Sequence, residues 1–371
     1  MSEISAEDRD AEASLADASA RSARLEAAFR RDPSGYRVLT GDRPTGPLHL
    51  GHYFGTLLNR VRLQNLGVET MILVADYQTI IDRDSPSSLP RDVEELVADY
   101  LAVGVDPART TIFAHSQVPE LNQLMVPFLS LVSVPELARN PTVKEERVAS
   151  GLPVASGLLF TYPVHQAADI LFCHGNVVPV GRDQLPHLEM TRLIARRFNQ
   201  RYSPDEPFFP EPEALLSDAP RLLGIDARKM SKSRNNAIAI GATEDETVRL
   251  IRGAKTDSNR HITYDPSGRP EVSNLVLLTA LCLEREPREV AEEIGGGGAA
   301  VLKRVLAEAV NERLRSVRSL RSTLIQDRTG LREVLMAGTE TAKAMAAETL
   351  ESVRRLMHTD YSANQPHQSG R

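Results

Sequence analysis

The stretch from Arg37 to Tyr53 leaves this chain little choice of fold. Val38 and Leu39 open a short apolar β run, and Gly41 breaks it. Pro44, Thr45, Gly46 and Pro47 turn the chain, and a helical pattern then begins that carries His49 and His52 three residues apart. A strand, a loop and a helix start in that order belong at the carboxyl edge of an α/β sheet. The first helical amides are unpaired there and the helix dipole presents positive potential, so anions bind. His49 and His52 share one face of the first turn, and Gly51 between them removes a side chain where a planar ring could approach the backbone. Taken alone, the pair reads equally well as two solvated histidines at a helix start.

The chain downstream supplies the sheet. After a helix over 49–66, the run Thr70 to Ala75 reads as a buried strand ending at Asp76, a helix follows over 89–103, and a third strand covers 111–114. This β/α alternation gives a parallel sheet covered on both faces, with right-handed crossovers: α/β, a Rossmann-like doubly wound core. No GxGxxG accompanies it, so a dinucleotide cofactor is not indicated. At 371 residues the chain is long enough for about two domains. Its net charge of −6 argues against a general nucleic-acid binder but leaves room for a local basic surface. Cys173 and Cys282 stand far apart among apolar neighbours, which gives a zinc site or a disulfide framework no basis, and no metal site is expected. The acidic, Ala/Ser-rich stretch 1–36 reads as a mobile extension rather than a secretory signal, nothing reads as a membrane span, and a cytoplasmic location is expected.

From Leu158 to Cys173 the pattern is that of an apolar helix interrupted by a few polar groups. Tyr162, Gln166 and Asp169 fall at spacings of four, three and seven and so share one face. A buried carboxylate needs a partner, because desolvating it unpaired costs several kcal/mol. Asp169 is either tied into an internal salt bridge or held for a donor on a ligand. Val177 to Val180 forms the next strand, and Gly181, Arg182, Asp183 and Gln184 stand at its carboxyl end, where α/β folds bind ligands.

Further along, Lys229, Met230, Ser231, Lys232 and Ser233 make a dense cationic loop suited to phosphate. His49-Leu50-Gly51-His52 followed by Lys229 to Ser233 resembles the HIGH and KMSKS pair of class I aminoacyl-tRNA synthetases. The run Tyr162 to Leu171, with Val178 to Gln184, narrows the resemblance to the tryptophanyl-tRNA synthetases, and the likeness extends from Arg37 to about Met357. It implies ATP and Mg2+, L-tryptophan and tRNA(Trp), and a homodimer. By the same likeness Asp169 reads the indole nitrogen, with Tyr162, Gln166, Gln184, Val178, Val180 and Gln78 around the amino acid. Arg43, Pro44, Thr45, Gly51, His52, Gly181, Arg182, Asp183, Leu222 and Lys229 to Ser233 surround ATP. His49, His52, Lys229, Lys232 and Lys144, the last on the polar loop 139–146, carry catalysis. A tyrosyl-tRNA synthetase, or a paralogue that regulates by binding alone, stay open as alternatives. The sequence departs from many bacterial members in having His52 where Asn is common, Arg43 where Gln is common and Gln78 where His is common.

The resemblance also divides the chain into a catalytic unit over 37–240 and an α-helical unit over 241–360 that meets the tRNA anticodon, with 361–371 a disordered tail. Gly295 to Gly298 reads as a flexible join ahead of a long amphipathic helix over 301–324. That helix carries Lys303, Arg304, Arg313, Arg315, Arg318 and Arg321 against Glu308 and Glu312, either a solvated face or a surface for the RNA.

Overall fold

The structure, a computed structural model, describes residues 6–79, 87–140, 156–181, 185–216 and 222–361. Five parallel strands form one sheet: β1 (Arg37–Asp42), β2 (Glu69–Val74), β3 (Thr110–Ala114), β4 (Val177–Val180) and β5 (Glu213–Leu216), in the order β3-β2-β1-β4-β5. The order reverses between β1 and β4, which is the switch point of a doubly wound sheet and the place where its carboxyl edge opens a crevice. β1 and β2 run in register from Arg37 opposite Glu69 to Asp42 opposite Val74.

Side chains alternate across the sheet and feed two cores. Ile72, Val74 and Ile112 face one way, with Leu57, Leu96 and Tyr100; Leu39, Met71, Leu73 and Phe113 face the other, with Ala167, Ile170 and Phe198. Burial on both faces is why β2 reads as an unbroken apolar run. The helices are α1 (Ala6–Arg31), α2 (Leu50–His52), α3 (Leu58–Leu66), α4 (Leu89–Ala102), α5 (Glu120–Leu129), α6 (Val134–Arg139), α7 (Gly157–Leu171) and α8 (Leu185–Tyr202). A carboxyl-terminal set follows: α9 (Glu244–Arg252), α10 (Pro270–Leu283), α11 (Pro287–Ile294), α12 (Gly298–Leu324) and α13 (Arg328–Leu356). The single helix expected over 49–66 is interrupted by a π turn at Tyr53–Leu57, directly after His52. Such insertions commonly mark functional sites. Gly295 to Gly297 form a 3-10 turn whose Gly295 carbonyl accepts from the Ile262 amide at 2.8 Å, so the glycine run is held against the preceding loop.

Within the stretch expected as a mobile extension, the second half of α1 is docked. Leu25 and Phe29 are buried against Val38, Val177 and Leu215, and the Ser22 hydroxyl donates to the Ala214 carbonyl and accepts from the Leu216 amide. That hydroxyl thereby satisfies the free edge of β5, a common way of blunting an edge strand. The opposite edge is covered by α13, which lies so close to β3 that a Cβ on Gly338 would stand 2.0 Å from the Ile112 carbonyl oxygen. Thr339 accepts from the Ala114 amide, and Thr349 donates to the Phe172 carbonyl at 2.6 Å. The carboxyl-terminal helices therefore share the sheet's cores: Leu302, Leu306, Val310 and Leu314 lie in one apolar cluster with Leu48, Ile72 and Val74. No helix among the described residues is long and apolar enough to cross a membrane.

Below the carboxyl end of β1 lies a buried ion pair. Arg60, on α3, is 2% exposed and donates to Asp42 at 2.6 Å, to Thr40 Oγ1 and to the Gly41 carbonyl, while the Tyr100 hydroxyl donates to the same Asp42 oxygen at 2.8 Å. Burial alone would raise the Asp42 pKa, but the Arg60 charge and these donors outweigh it and hold the carboxylate well below the usual range. Breaking one side of such a pair strands a charge. Arg60→Met is expected to cost about 3–5 kcal/mol of unfolding free energy in chemical denaturation, and the double variant Arg60→Met/Asp42→Leu substantially less. A single variant within about 1 kcal/mol of the parent would show that the pair does not hold β1 in place.

Candidate active site

Four strand ends meet at the carboxyl edge. Asp42 closes β1, Asp76 to Gln78 follow β2, His115 follows β3, and Gly181 follows β4, exposed to solvent. Asp76 latches two of these ends together, accepting from the Tyr77 and Ser116 amides at 2.9 Å each and from the Ser116 hydroxyl.

After β1 the chain turns at Arg43 to Gly46, where the Thr45 amide donates to the Arg43 carbonyl at 2.8 Å and Pro44 is buried, and then enters α2. His49 caps that helix. Its Nδ1 accepts from the Gly51 amide at 3.1 Å, while His52 Nδ1 accepts from the His49 amide at 3.3 Å, a reciprocal box with imidazoles in the roles usually taken by oxygen. The ring centroids stand 3.9 Å apart. A Cβ on Gly51 would lie 2.9 Å from the His49 ring, so only glycine admits this arrangement. Burial, the neighbouring His52 and Lys232 lower the His49 pKa to about 3. Burial and Lys232 bring His52 to about 4 against the opposing pull of Asp42. Both rings are neutral at pH 7 and serve as hydrogen-bonding groups, not cations.

The cationic loop closes over this turn. The segment after it runs antiparallel to the one before α2, with the Leu50 amide donating to the Ile238 carbonyl at 3.0 Å and the Ile240 amide to the Leu48 carbonyl at 2.9 Å. Lys232 Nζ donates to the Gly46 carbonyl at 2.7 Å, and Met230 is buried with its sulfur against Gly51. Leu222 is buried beneath the loop, its carbonyl accepting from the Met230 amide. Ser231 to Arg234 pass through a 3-10 turn that ends at Asn235 in left-handed conformation. Asn236 fastens the loop from inside. It accepts from the Ser231 amide at 2.8 Å and donates to Asp226 at 2.7 Å and to the Lys229 carbonyl at 3.1 Å, while only 2% exposed. Sequence reasoning passed over Asn236, which has a polar residue's look in a polar stretch.

On the other side of the edge Asp169 is 1% exposed, with Gln78 Nε2 at 3.5 Å from one oxygen and His115 Nδ1 at 3.1 Å from the other. Burial, and then the Asp76 charge, push its pKa well above the carboxylate range. Tyr162 lies on the same helix, its ring edge-on to His187 at 5.2 Å; Gln166 is half-buried, and Val178 and Val180 are buried on β4. His115 and His165 crowd Asp169 and went unnoticed in the sequence, because His115 comes from a different element and His165 is one of several polar interruptions in α7. Lys144, Arg182, Asp183 and Gln184 lie outside the described residues.

This arrangement has relatives. The chain matches the family model for class I tRNA synthetases (W and Y) over residues 33–315. It is 39% identical over 341 residues to the tryptophan–tRNA ligase of Streptococcus agalactiae, covering 87% of this chain and 98% of the relative, and 41% identical over 330 residues to that of Treponema pallidum. The crystal structure of tryptophanyl-tRNA synthetase from Campylobacter jejuni, complexed with ADP and tryptophan, superposes with a TM-score of 0.75 at 30% identity, covering 87% of this chain and 99% of that one. The chain belongs to the tryptophanyl-tRNA synthetase family.

The basic residues of α12 all have partners within the chain. Arg321 donates to Asp99 at 2.6 Å and pairs with Glu95, Arg318 bonds Thr247 and Asn311, and Arg313 pairs with Glu284. Arg304 and Arg315 pair with Glu308 and Glu312 on their own helix, and Lys303 donates to the Arg252 carbonyl. Asp99 in turn accepts from the Leu48 amide at 3.1 Å, so Arg321 is fastened to the residue just before His49. Charge alone did not reveal this, since the acids that face α12 come from α4, α9 and the end of α10.

The neutral histidines set a pH dependence. A histidine whose folded pKa lies below its free value near 6.5 leaves the unfolded state holding more protons in between, so stability is complete above about pH 6.5 and declines as pH falls. At pH 5 His49 is expected to account for roughly 2 kcal/mol of that loss. Denaturation of the His49→Asn variant at pH 7 and pH 5 should therefore show a shallower decline than the parent; identical slopes would refute the buried neutral state.

Proposed function

We propose that this chain activates L-tryptophan with ATP to tryptophanyl-adenylate and pyrophosphate, then transfers the amino acid to tRNA(Trp). The single observation that supports this most directly is the closure of the Lys229–Ser233 loop on the His49–His52 turn, with Lys232 at 2.7 Å from the Gly46 carbonyl, beside a buried carboxylate on the same sheet edge.

The tryptophan carboxylate is already ionised and attacks the α-phosphate without a general base. Catalysis then rests on positioning and on charge stabilisation as the pyrophosphate leaves. In this reading Arg43, Pro44, Thr45 and Gly51 line the phosphates and Leu222 flanks the adenine. Neutral His49 and His52 donate to the α-phosphate region through their free ring nitrogens, and Lys229, Lys232 and Lys144 hold the β- and γ-phosphates. ATP brings Mg2+ with it. Asp42 already balances the Arg60 charge, so phosphate oxygens and water would suit the ion better as ligands than this carboxylate. Gly181, Arg182 and Asp183 complete the nucleotide side. Asp169 accepts the indole N–H, with Tyr162, Gln166, Gln184, Val178, Val180 and Gln78 around the ring. The unit over 37–240 carries this chemistry and the helices of 241–360 face the tRNA. A homodimer working in the cytoplasm is part of the same reading, on kinship alone.

Selectivity follows from Asp169, because a buried acceptor left unpaired by a ring without N–H rejects that ring better than pocket volume can. Asp169→Asn is expected to lower kcat/KM for tryptophan by about 10- to 100-fold in ATP–pyrophosphate exchange, with the KM for ATP little changed. Exchange driven by tyrosine as well as by tryptophan in the parent enzyme would instead favour the tyrosine-specific branch. Lys232→Ala should slow adenylate formation by about 100-fold or more, as loss of one transition-state donor does, and a parental exchange rate would rule the lysine out.

A further inference from the structure

His115, His165 and Asp169 form a compact cluster with more polar capacity than one indole N–H can use. All three side chains are at least 98% buried, and one ligand atom from each lies within 4.8 Å of the others. The two rings stand 4.2 Å apart, tilted by 46°. Among the described residues none of the four ring nitrogens, nor Asp169 Oδ1, has a hydrogen-bond partner. His115 Nδ1 and Asp169 Oδ1 approach to 3.1 Å without hydrogen-bond alignment. Groups that are close, buried and not bonded to one another call for something placed among them.

We infer that His115, His165 and Asp169 bind a borderline divalent cation, Zn2+ or its chemical kin, where α7 meets the carboxyl end of β3. Two imidazoles and one carboxylate are the donor set such ions take. Donors around tetrahedral Zn2+ lie about 3.4 Å apart, so atoms within 4.8 Å of one another need a contraction of at most about 1.4 Å. His165 and Asp169 are one helical turn apart on α7 and His115 directly follows β3 at the start of a 3-10 turn, so a helix and a strand end present the ligands. The charges balance. Asp169 and the nearby Asp76 carboxylate together offset a dication, and the ion removes the cost of keeping Asp169 ionised in an apolar site. Ligation through Oδ1 leaves Oδ2, on the Gln78 side, for an indole N–H. The inference needs only the three ligands and stands whether or not Asp169 reads tryptophan. It departs from the sequence expectation of no metal, which rested on the two cysteines.

The test is metal analysis of the full-length, tag-free protein, stripped with chelator, re-equilibrated with Zn2+ and dialysed, together with titration by Co2+ as a spectroscopic probe. Close to one retained Zn2+ per chain is expected, with visible bands of four-coordinate Co2+. His115→Gln and His165→Leu should each weaken binding by at least about 100-fold while keeping the parental circular dichroism. Background zinc and a featureless Co2+ spectrum in the parent would overturn the inference. So would unchanged metal binding in both variants, which would place the ion elsewhere. Because the readout is metal content, failure of tryptophan activation and failure of this site are told apart.

Discussion

Two backbone hydrogen bonds hold the functional half of this molecule together, those between Leu48 and Ile240 and between Leu50 and Ile238. The four residues are at most 2% exposed, so their amides and carbonyls have no water to turn to and must find each other. That requirement joins segments some 190 residues apart in the sequence. It places the cationic loop over the turn after β1, and it fixes the start of α2, whose first amides are served by His49 itself. Arg321 and Asp99 reinforce the same point from outside, through the Leu48 amide. A helix of the carboxyl-terminal set thus bears on the residue just before the His49 cap, a direct physical link between the helical region and the start of α2.

The carboxyl edge treats its buried charges in two contrasting ways. One oxygen of Asp42 takes both an arginine and a tyrosine hydroxyl, and these hold the carboxylate ionised. Asp169, more deeply buried, has one long contact from Gln78, one misaligned histidine and a pKa driven upward by its surroundings. The first arrangement is architecture, because the carboxylate has its counter-charge inside the fold. The second is incomplete without a ligand, and incompleteness in a dry site is the physical signature of a binding position.

Strands β1 to β4 were legible because burial on both faces writes parallel strands as apolar runs. β5 was not: its four residues begin with Glu213 and follow Pro207, Pro210 and Pro212, and its pairing with β4 and α1 decides its state. Helix α13 escaped for a related reason. It meets the sheet through Gly338, Thr339, Ala342, Ala346 and Thr349, small residues that allow close approach and leave no bold apolar stripe. The spacing of Tyr162, Gln166 and Asp169 did identify the buried carboxylate, since helical period is a local property. His115 beside it and Asn236 inside the loop are products of tertiary contact, which no periodicity encodes. The basic stripe of α12 shows the converse, a legible pattern that carries no information about which acids face it.

The contrast between lysine and histidine at the turn after β1 follows from burial. Lys232 reaches the turn from a half-exposed loop, its Nζ on the Gly46 carbonyl. His49 and His52 sit beneath it where a second and third cation would repel the first, and burial has already priced the charged form out. As neutral rings they add no like charge beside it, and each spends one nitrogen on the backbone at the start of α2. The ring geometry is therefore set by the fold before any phosphate arrives, which is what a transition state stabilised by position requires.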